Sequence, residues 1–150
     1  MKIGSPGSAA NAITVASYTT RTQWTDSTGA SRAVGLQLNA LSEFSSRGPL
    51  RNGSEKPDLA APGAMIISAR SSSANIVPAN IVAPGYRVEA GTSMASPFVA
   101  GLVALLLQDK PNATPTQIRA KLRAASIIPG SPAGAIDPGW GAGLIDASLL

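Results

Sequence analysis

Gly91-Thr92-Ser93-Met94-Ala95-Ser96-Pro97 opens directly into Phe98-Val99-Ala100-Gly101-Leu102-Val103-Ala104-Leu105-Leu106-Leu107, a run in which every residue is apolar or glycine. Such a run reads as a helix buried on all sides rather than an amphipathic surface helix. At about ten residues it is too short to cross a bilayer. Ser93 then sits at the helix N-terminus, where the first-turn N–H groups are unpaired and the macrodipole contributes roughly half a positive charge. Gly91 allows a tight bend before the serine, and Pro97 suits an early helical position where its missing N–H costs nothing. A serine hydroxyl needs a base to become nucleophilic, and the oxyanion it creates needs fixed donors. The Ser93 N–H is a candidate donor. The base is a different matter: the chain has no histidine.

Working outward, the 150 residues suffice for one domain burying about 70% of its unfolded surface. Only 13% are charged, about half the usual share, so folding depends on burial. The absence of cysteine excludes disulfides and thiolate metal sites, and fits a secreted protein without requiring one. No apolar run follows the basic start at Met1-Lys2, so no signal peptide is read in this piece. The net charge of +4 is spread along the chain. Its densest cluster, Arg119, Lys121 and Arg123, reads as the solvated face of a short helix. Aromatic residues are few and dispersed, which argues against a nucleic-acid platform. No phosphate-binding loop, zinc cluster or repeat is present.

Alternating strands and helices are predicted. Ile13 to Tyr18, Val34 to Leu41, Met65 to Ala69 and Tyr86 to Glu89 read as strands. Asn52-Gly53 marks a turn, and Ser71 to Pro84 a surface excursion. After Lys110-Pro111-Asn112 ends the long helix, Thr114 and Gln117 have capping-box spacing, Pro115 suits the first helical position, and Ile118 and Leu122 share a face. Pro129 to Gly139 is a loop leading to a short final segment. The implied fold is a layered α/β arrangement with a mostly parallel sheet.

The Ser93 segment closely resembles the serine motif of the subtilisin-like proteases, the subtilases, in which Gly-Thr-Ser-Met-Ala-Ser-Pro precedes a central helix. The resemblance continues in Phe44-Ser45-Ser46-Arg47-Gly48-Pro49, in Lys56-Pro57-Asp58-Leu59-Ala60-Ala61-Pro62-Gly63 and, slightly altered, in Trp140-Gly141-Ala142-Gly143-Leu144-Ile145-Asp146-Ala147. Ser5-Pro6-Gly7 with Ala12-Ile13-Thr14-Val15-Ala16-Ser17 resembles the stretch after the family's oxyanion asparagine. A chance serine at a core helix accounts for Gly-Thr-Ser alone, but not for further family-like segments in order. The resemblance implies a three-layer subtilisin-like α/β fold, of which residues 1–150 form the C-terminal portion of the catalytic domain.

It also implies a serine endopeptidase with Ser93 as the acylated nucleophile. The triad runs Asp, His, Ser in chain order in this family. The aspartate, the histidine and the oxyanion asparagine would therefore lie upstream of Met1; neither Asp26 nor Asp58 stands in the triad aspartate's setting. By the same resemblance Glu89, Ala90, Gly91, Thr92 and Met94 belong to the substrate side of the site. Glu89 and Ala90 fall toward the leaving group. Met94 is read equally as a neighbour of the nucleophile, where oxidation would add a polar group, or as a core methionine. Carbonyls around Gly7, Ala9 and Ala12, with Asp58 nearby, fall where some subtilases bind a cation, but no metal and no cofactor is predicted.

Peptide or protein substrate and the missing N-terminal half of the domain are the expected partners, with neither nucleic acid nor membrane. A secreted location follows from the family resemblance. The chain alone is expected to be inactive and prone to self-association. Open alternatives are a sedolisin-type Ser-Glu-Asp peptidase fragment, a split enzyme built from two chains, and a non-catalytic structural or binding module with the same fold. An α/β-hydrolase elbow also places serine on a strand-to-helix turn, but that family needs a histidine after it.

Overall fold

A computed structural model describes residues 2–150. Its central sheet has the order β1 (Val15–Thr19), β4 (Leu59–Ala64), β9 (Leu144–Ile145), β8 (Ser126–Ile127). The first two pairings are parallel and the last antiparallel. The expected mixed α/β arrangement with a parallel-containing sheet is what forms. A β2–β3 hairpin (Gln23–Thr25, Ser31–Ala33) and a three-stranded antiparallel sheet of β5 (Ile66–Ala69), β7 (Tyr86–Glu89) and β6 (Ile81–Ala83) stand beside it. The α-helices among the described residues are α1 (Thr92–Asp109) and α2 (Pro115–Ala124).

Strand β4 is central because it is paired on both sides and almost wholly buried. In its pairing with β1, Leu59 and Ala61 lie beside Val15 and Ser17, on one face of the sheet. That face carries the main core: Leu59, Ala61 and Ile145 from the sheet, Ala95, Val99 and Leu106 from α1, and Ile118, Leu122 and Ala125 from α2 and its end. On the neighbouring register positions, Tyr18 packs at a tilt against Trp140, with ring centroids 5.8 Å apart. Gly143 closes the sheet: it has φ 116°, and a Cβ there would collide with the Ile127 backbone, so only glycine lets β8 and β9 approach.

Helix α2 follows the sequence closely. Thr114 and Gln117 form the reciprocal capping box, Pro115 is the first helical residue, and Ile118 and Leu122 are both buried. Its basic residues, however, are not a solvated face. Lys121 donates to the Leu150 carbonyl, Arg123 pairs with Glu55 at 3.3 Å, and Arg119 turns inward to Asp58. Long side chains with carbonyl and carboxylate partners in reach are drawn in from solvent.

Helix α1 departs from expectation in three ways. It runs for 18 residues rather than about ten, so it is long and apolar enough to cross a membrane by length and composition, with a mean hydropathy of 1.2. Here it packs along one side on β4 and β1. It is also not buried all round. Ala95, Val99 and Leu106 face the sheet, while Phe98 is 43% and Leu105 63% exposed on the other side. Finally, Pro97 is the sixth helical residue rather than an early one. Its missing N–H leaves the Ser93 carbonyl without its intrahelical partner.

Residues Val34 to Leu41 do not form the predicted strand. Asn39 adopts a left-handed φ of 57°, which breaks the extended run. The segment instead turns along β1: Thr19 N donates to Ala40 O at 2.9 Å and Asn39 N to Thr19 O at 2.9 Å. The excursion at 71–84 holds a single 3-10 turn (Pro78–Asn80) and β6.

Candidate active site

Strand β7 runs into Glu89, Ala90 and Gly91, and α1 begins at Thr92. Two backbone constraints fix where that helix starts. Gly91 N donates to the Gly63 carbonyl at 2.8 Å, tying the residues before the serine to the end of β4. Gly63 itself has no room for a side chain, because a Cβ would overlap the Ser17 hydroxyl and lie 3.0 Å from both the Ala95 Cβ and the Gly91 carbonyl. The glycine that ends Pro57-Asp58-Leu59-Ala60-Ala61-Pro62-Gly63 is thus the seat on which the serine helix rests. Gly91 adopts extended backbone, φ 161° and ψ 159°, rather than the tight bend expected. Its lack of a side chain keeps open the space beside the Ser93 Cβ, 3.8 Å from where its own Cβ would be.

Beneath this start lies a buried hydroxyl network. Ser42 Oγ is 2.9 Å from both Ser17 Oγ and Thr19 Oγ1, and Ser45 Oγ accepts from Ser17 N at 3.0 Å. All four residues are buried. Ser45 belongs to Phe44-Ser45-Ser46-Arg47-Gly48-Pro49, so this segment caps the outer edge of β1, which in turn flanks Gly63. Each hydroxyl is both donor and acceptor, which lets a small cluster satisfy itself without water. Sequence reasoning missed this network; the visible signal was the concentration of Ser and Thr on residues adjoining a buried strand.

Ser93 itself is exposed at the second residue of α1. Its hydroxyl has no hydrogen-bond partner among the described residues. Met94 N donates to Gly91 O at 2.9 Å, whereas the N–H groups of Thr92 and Ser93 find no protein acceptor among the described residues. The first turn holds neither an acidic residue nor a side-chain cap. The result is a nucleophile-type oxygen, two free N–H groups and the positive helix end, facing outward together.

The other predicted site residues fall around it unevenly. Thr92 is exposed and borders a cleft of about 180 Å³ formed with Ile3, Gly4, Gly7 and Val15. Met94 is half-buried, with its sulfur 3.7 Å from the position of a Gly91 Cβ. Ala90 is exposed, and Glu89 ends β7 paired with Arg87 on the same strand. Glu89 is engaged by Arg87 and Asp58 by Lys56, and neither carboxylate hydrogen-bonds Ser93. Asp26, in the distant hairpin, is held far below the usual carboxylate range by the Thr28 hydroxyl, the Arg32 guanidinium and the Thr28 and Ala30 N–H groups.

The family model for the subtilase family matches residues 1–142. The chain is 43% identical over 88 residues to the serine protease AprX of Bacillus subtilis, a match covering 57% of this chain and 20% of AprX. Among solved structures, the CspB protease of Clostridium perfringens superposes with a TM-score of 0.67 at 28% identity, over 99% of this chain and 28% of CspB. Fervidolysin from Fervidobacterium pennivorans, a keratinolytic enzyme related to subtilisin, gives a TM-score of 0.63 at 31% identity, over 97% of this chain and 19% of its own. The chain therefore belongs to the subtilase family of serine proteases. It spans only about a fifth to a little over a quarter of the length of these relatives.

Proposed function

We propose that residues 1–150 are the C-terminal portion of a subtilase catalytic domain and that this portion carries the nucleophile, Ser93, of a serine endopeptidase. The observation that supports this most directly is the outward-facing Ser93 hydroxyl at the start of α1, beside its own unpaired N–H and seated on Gly63. Ser93 Oγ attacks the peptide carbonyl as its proton passes to a histidine supplied by the rest of the domain. The Ser93 N–H donates to the oxyanion, opposite an asparagine from that same missing part. Collapse expels the amine, which takes the proton from the histidine, and water then hydrolyses the acyl-serine. Glu89 to Thr92 and Met94 line the substrate side, and no cofactor takes part.

The exposed flank of α1, with Phe98 and Leu105, supports the same reading, since an apolar helix side of this kind is normally covered. Its proposed cover is the rest of the domain, present in relatives several times longer than this chain. The proposed place of action is outside the cell, on peptide or protein substrates.

The test is to co-express the chain with the remaining part of a subtilase catalytic domain and treat the product with a serine-directed fluorophosphonate. Labelling at Ser93, read by mass spectrometry and abolished when the partner's histidine becomes alanine, is the expected result. Labelling that depends on a partner glutamate instead would move the assignment to the sedolisin type. A stable complex with Ser93 unlabelled would make the chain a non-catalytic module, and the protease reading would be withdrawn.

A further inference from the structure

The subtilase fold brings with it a possible cation position at the loop before β1, near the Ala12 carbonyl and Asp58, and the residues present do not fit a metal there. Asp58 is 2% exposed, and its Oδ2 lies 2.7 Å from Lys56 Nζ and 2.8 Å from Thr14 N. The Lys56 ammonium, 5% exposed, also donates to Ala12 O. Arg119 reaches in from α2: its Nη2 donates to Ala10 O at 3.0 Å and Ala12 O at 3.4 Å, and its Nε stands 3.5 Å from Asp58 Oδ1. That Nε is buried and makes no hydrogen bond of good geometry.

Calcium needs six to eight oxygens at about 2.3–2.6 Å. Here one carboxylate and two carbonyls converge, and an N–H donor or a fixed cation already faces each of them. A divalent ion would have to displace a buried ammonium and sit beside a guanidinium. Lys56 reaches the site directly, its Nζ lying between the Asp58 carboxylate and the Ala12 carbonyl.

We infer that Lys56 is the built-in cation of this fold: its ammonium takes the position a metal ion would otherwise fill and, with Arg119, locks the loop before β1 to the start of β4 and to α2. The chain consequently binds no metal at this position, and its stability is independent of calcium, sodium and potassium. The inference holds whether or not Ser93 is catalytic.

The test uses thermal melts of the chelator-treated protein followed by circular dichroism. The wild-type melt should be superimposable in excess EDTA and in millimolar calcium, sodium or potassium chloride. Lys56→Ala should lower the midpoint by on the order of 10 °C, with partial recovery in methylammonium, which can enter the vacated space. Lys56→Met, which keeps the volume and drops the charge, should fall without recovery. A rise of the wild-type midpoint with calcium, or a Lys56→Met melt equal to wild type in EDTA, would overturn the inference. A readout that needs no variant is brief acetylation of the native protein. Lys2 and Lys110, both exposed, should react while Lys56 stays unmodified; equal reaction at Lys56 would also overturn it.

Discussion

The two helices answer opposite questions. α2 is short, capped by the Thr114–Gln117 box, apolar on one stripe, and has its basic side chains tied to neighbours. Its cap and its apolar stripe both find their partners inside the chain. α1 is nearly twice as long and lacks a side-chain cap, and it presents Phe98 and Leu105 to solvent on the side away from the sheet. The missing cap leaves N–H groups free next to Ser93, and the bare side leaves room for a partner. In a helix built for stability alone both would be defects. The contrast separates a helix whose end and flank are covered from one whose end and flank are open.

The largest effect should come from the unmet end. In subtilisin, a relative by family, loss of the catalytic serine alone costs a factor of about 10⁶ in turnover. Ser93→Ala in the completed domain should match it, assayed on a chromogenic peptide, while leaving the melting curve in place. Retained turnover would make the free N-terminus of α1 incidental.

Core truncations test the two sides against each other. Leu122→Ala on α2 should destabilise the chain by about 3 kcal/mol, because a fully buried side chain leaves a cavity. Leu105→Ala on α1 should change it by less than about 0.5 kcal/mol in this chain and, if the proposed remainder of the domain covers it, by about 2–5 kcal/mol in the complex. Urea unfolding of both variants, with and without the partner, reads the difference. A Leu105 effect that stays small in the complex would place the docking surface elsewhere.

A smaller effect belongs to the cap. Thr114→Ala should cost about 1 kcal/mol by urea unfolding, since it removes the acceptor for Gln117 N and leaves α2 started like α1. No measurable change would mean that α2 is held by its buried stripe alone.

A pH-dependent effect lies outside both helices, in the β2–β3 hairpin. The folded Asp26 carboxyl is depressed relative to its unfolded value, so its contribution is complete above the unfolded pKa and is lost as pH falls below about 4. Asp26→Asn should therefore be less stable than wild type at neutral pH and converge with it in acid. Parallel pH profiles of the two melting temperatures would show that the hairpin contributes nothing to the cooperative unit.

Much of this was legible in the residues. The Ser93 segment places the helix start, Tyr86 to Glu89 forms β7 with the predicted bounds, and Thr114 with Gln117 announces α2. Strand β4 escaped because Leu-Ala-Ala-Pro-Gly-Ala has no β-branched residue and holds two strand breakers. It is a strand only because β1 and β9 pair with it from both sides. The length of α1 escaped because its apolar run, Phe98 to Leu107, covers only part of the helix, and its exposed side because composition cannot say which neighbours are present. Lys56 and Arg119 were read apart, one inside a motif and one on a helix; only the tertiary fold brings both to Asp58.

The placement of the two tryptophans has a spectroscopic consequence. Trp24 lies in the outer hairpin, where its indole N–H donates to Ala79 O at 2.8 Å, and Trp140 rests on Tyr18 of the central sheet. Replacing either by phenylalanine leaves a single tryptophan whose emission colour and quenching report one region. Acid titration of the Trp24-only protein follows the periphery, and the emission of the Trp140-only protein follows the seam between β1 and the closing segment. The molecule thus carries two optical gauges, able to register whether a binding partner tightens the sheet under Ser93 or leaves it as it is.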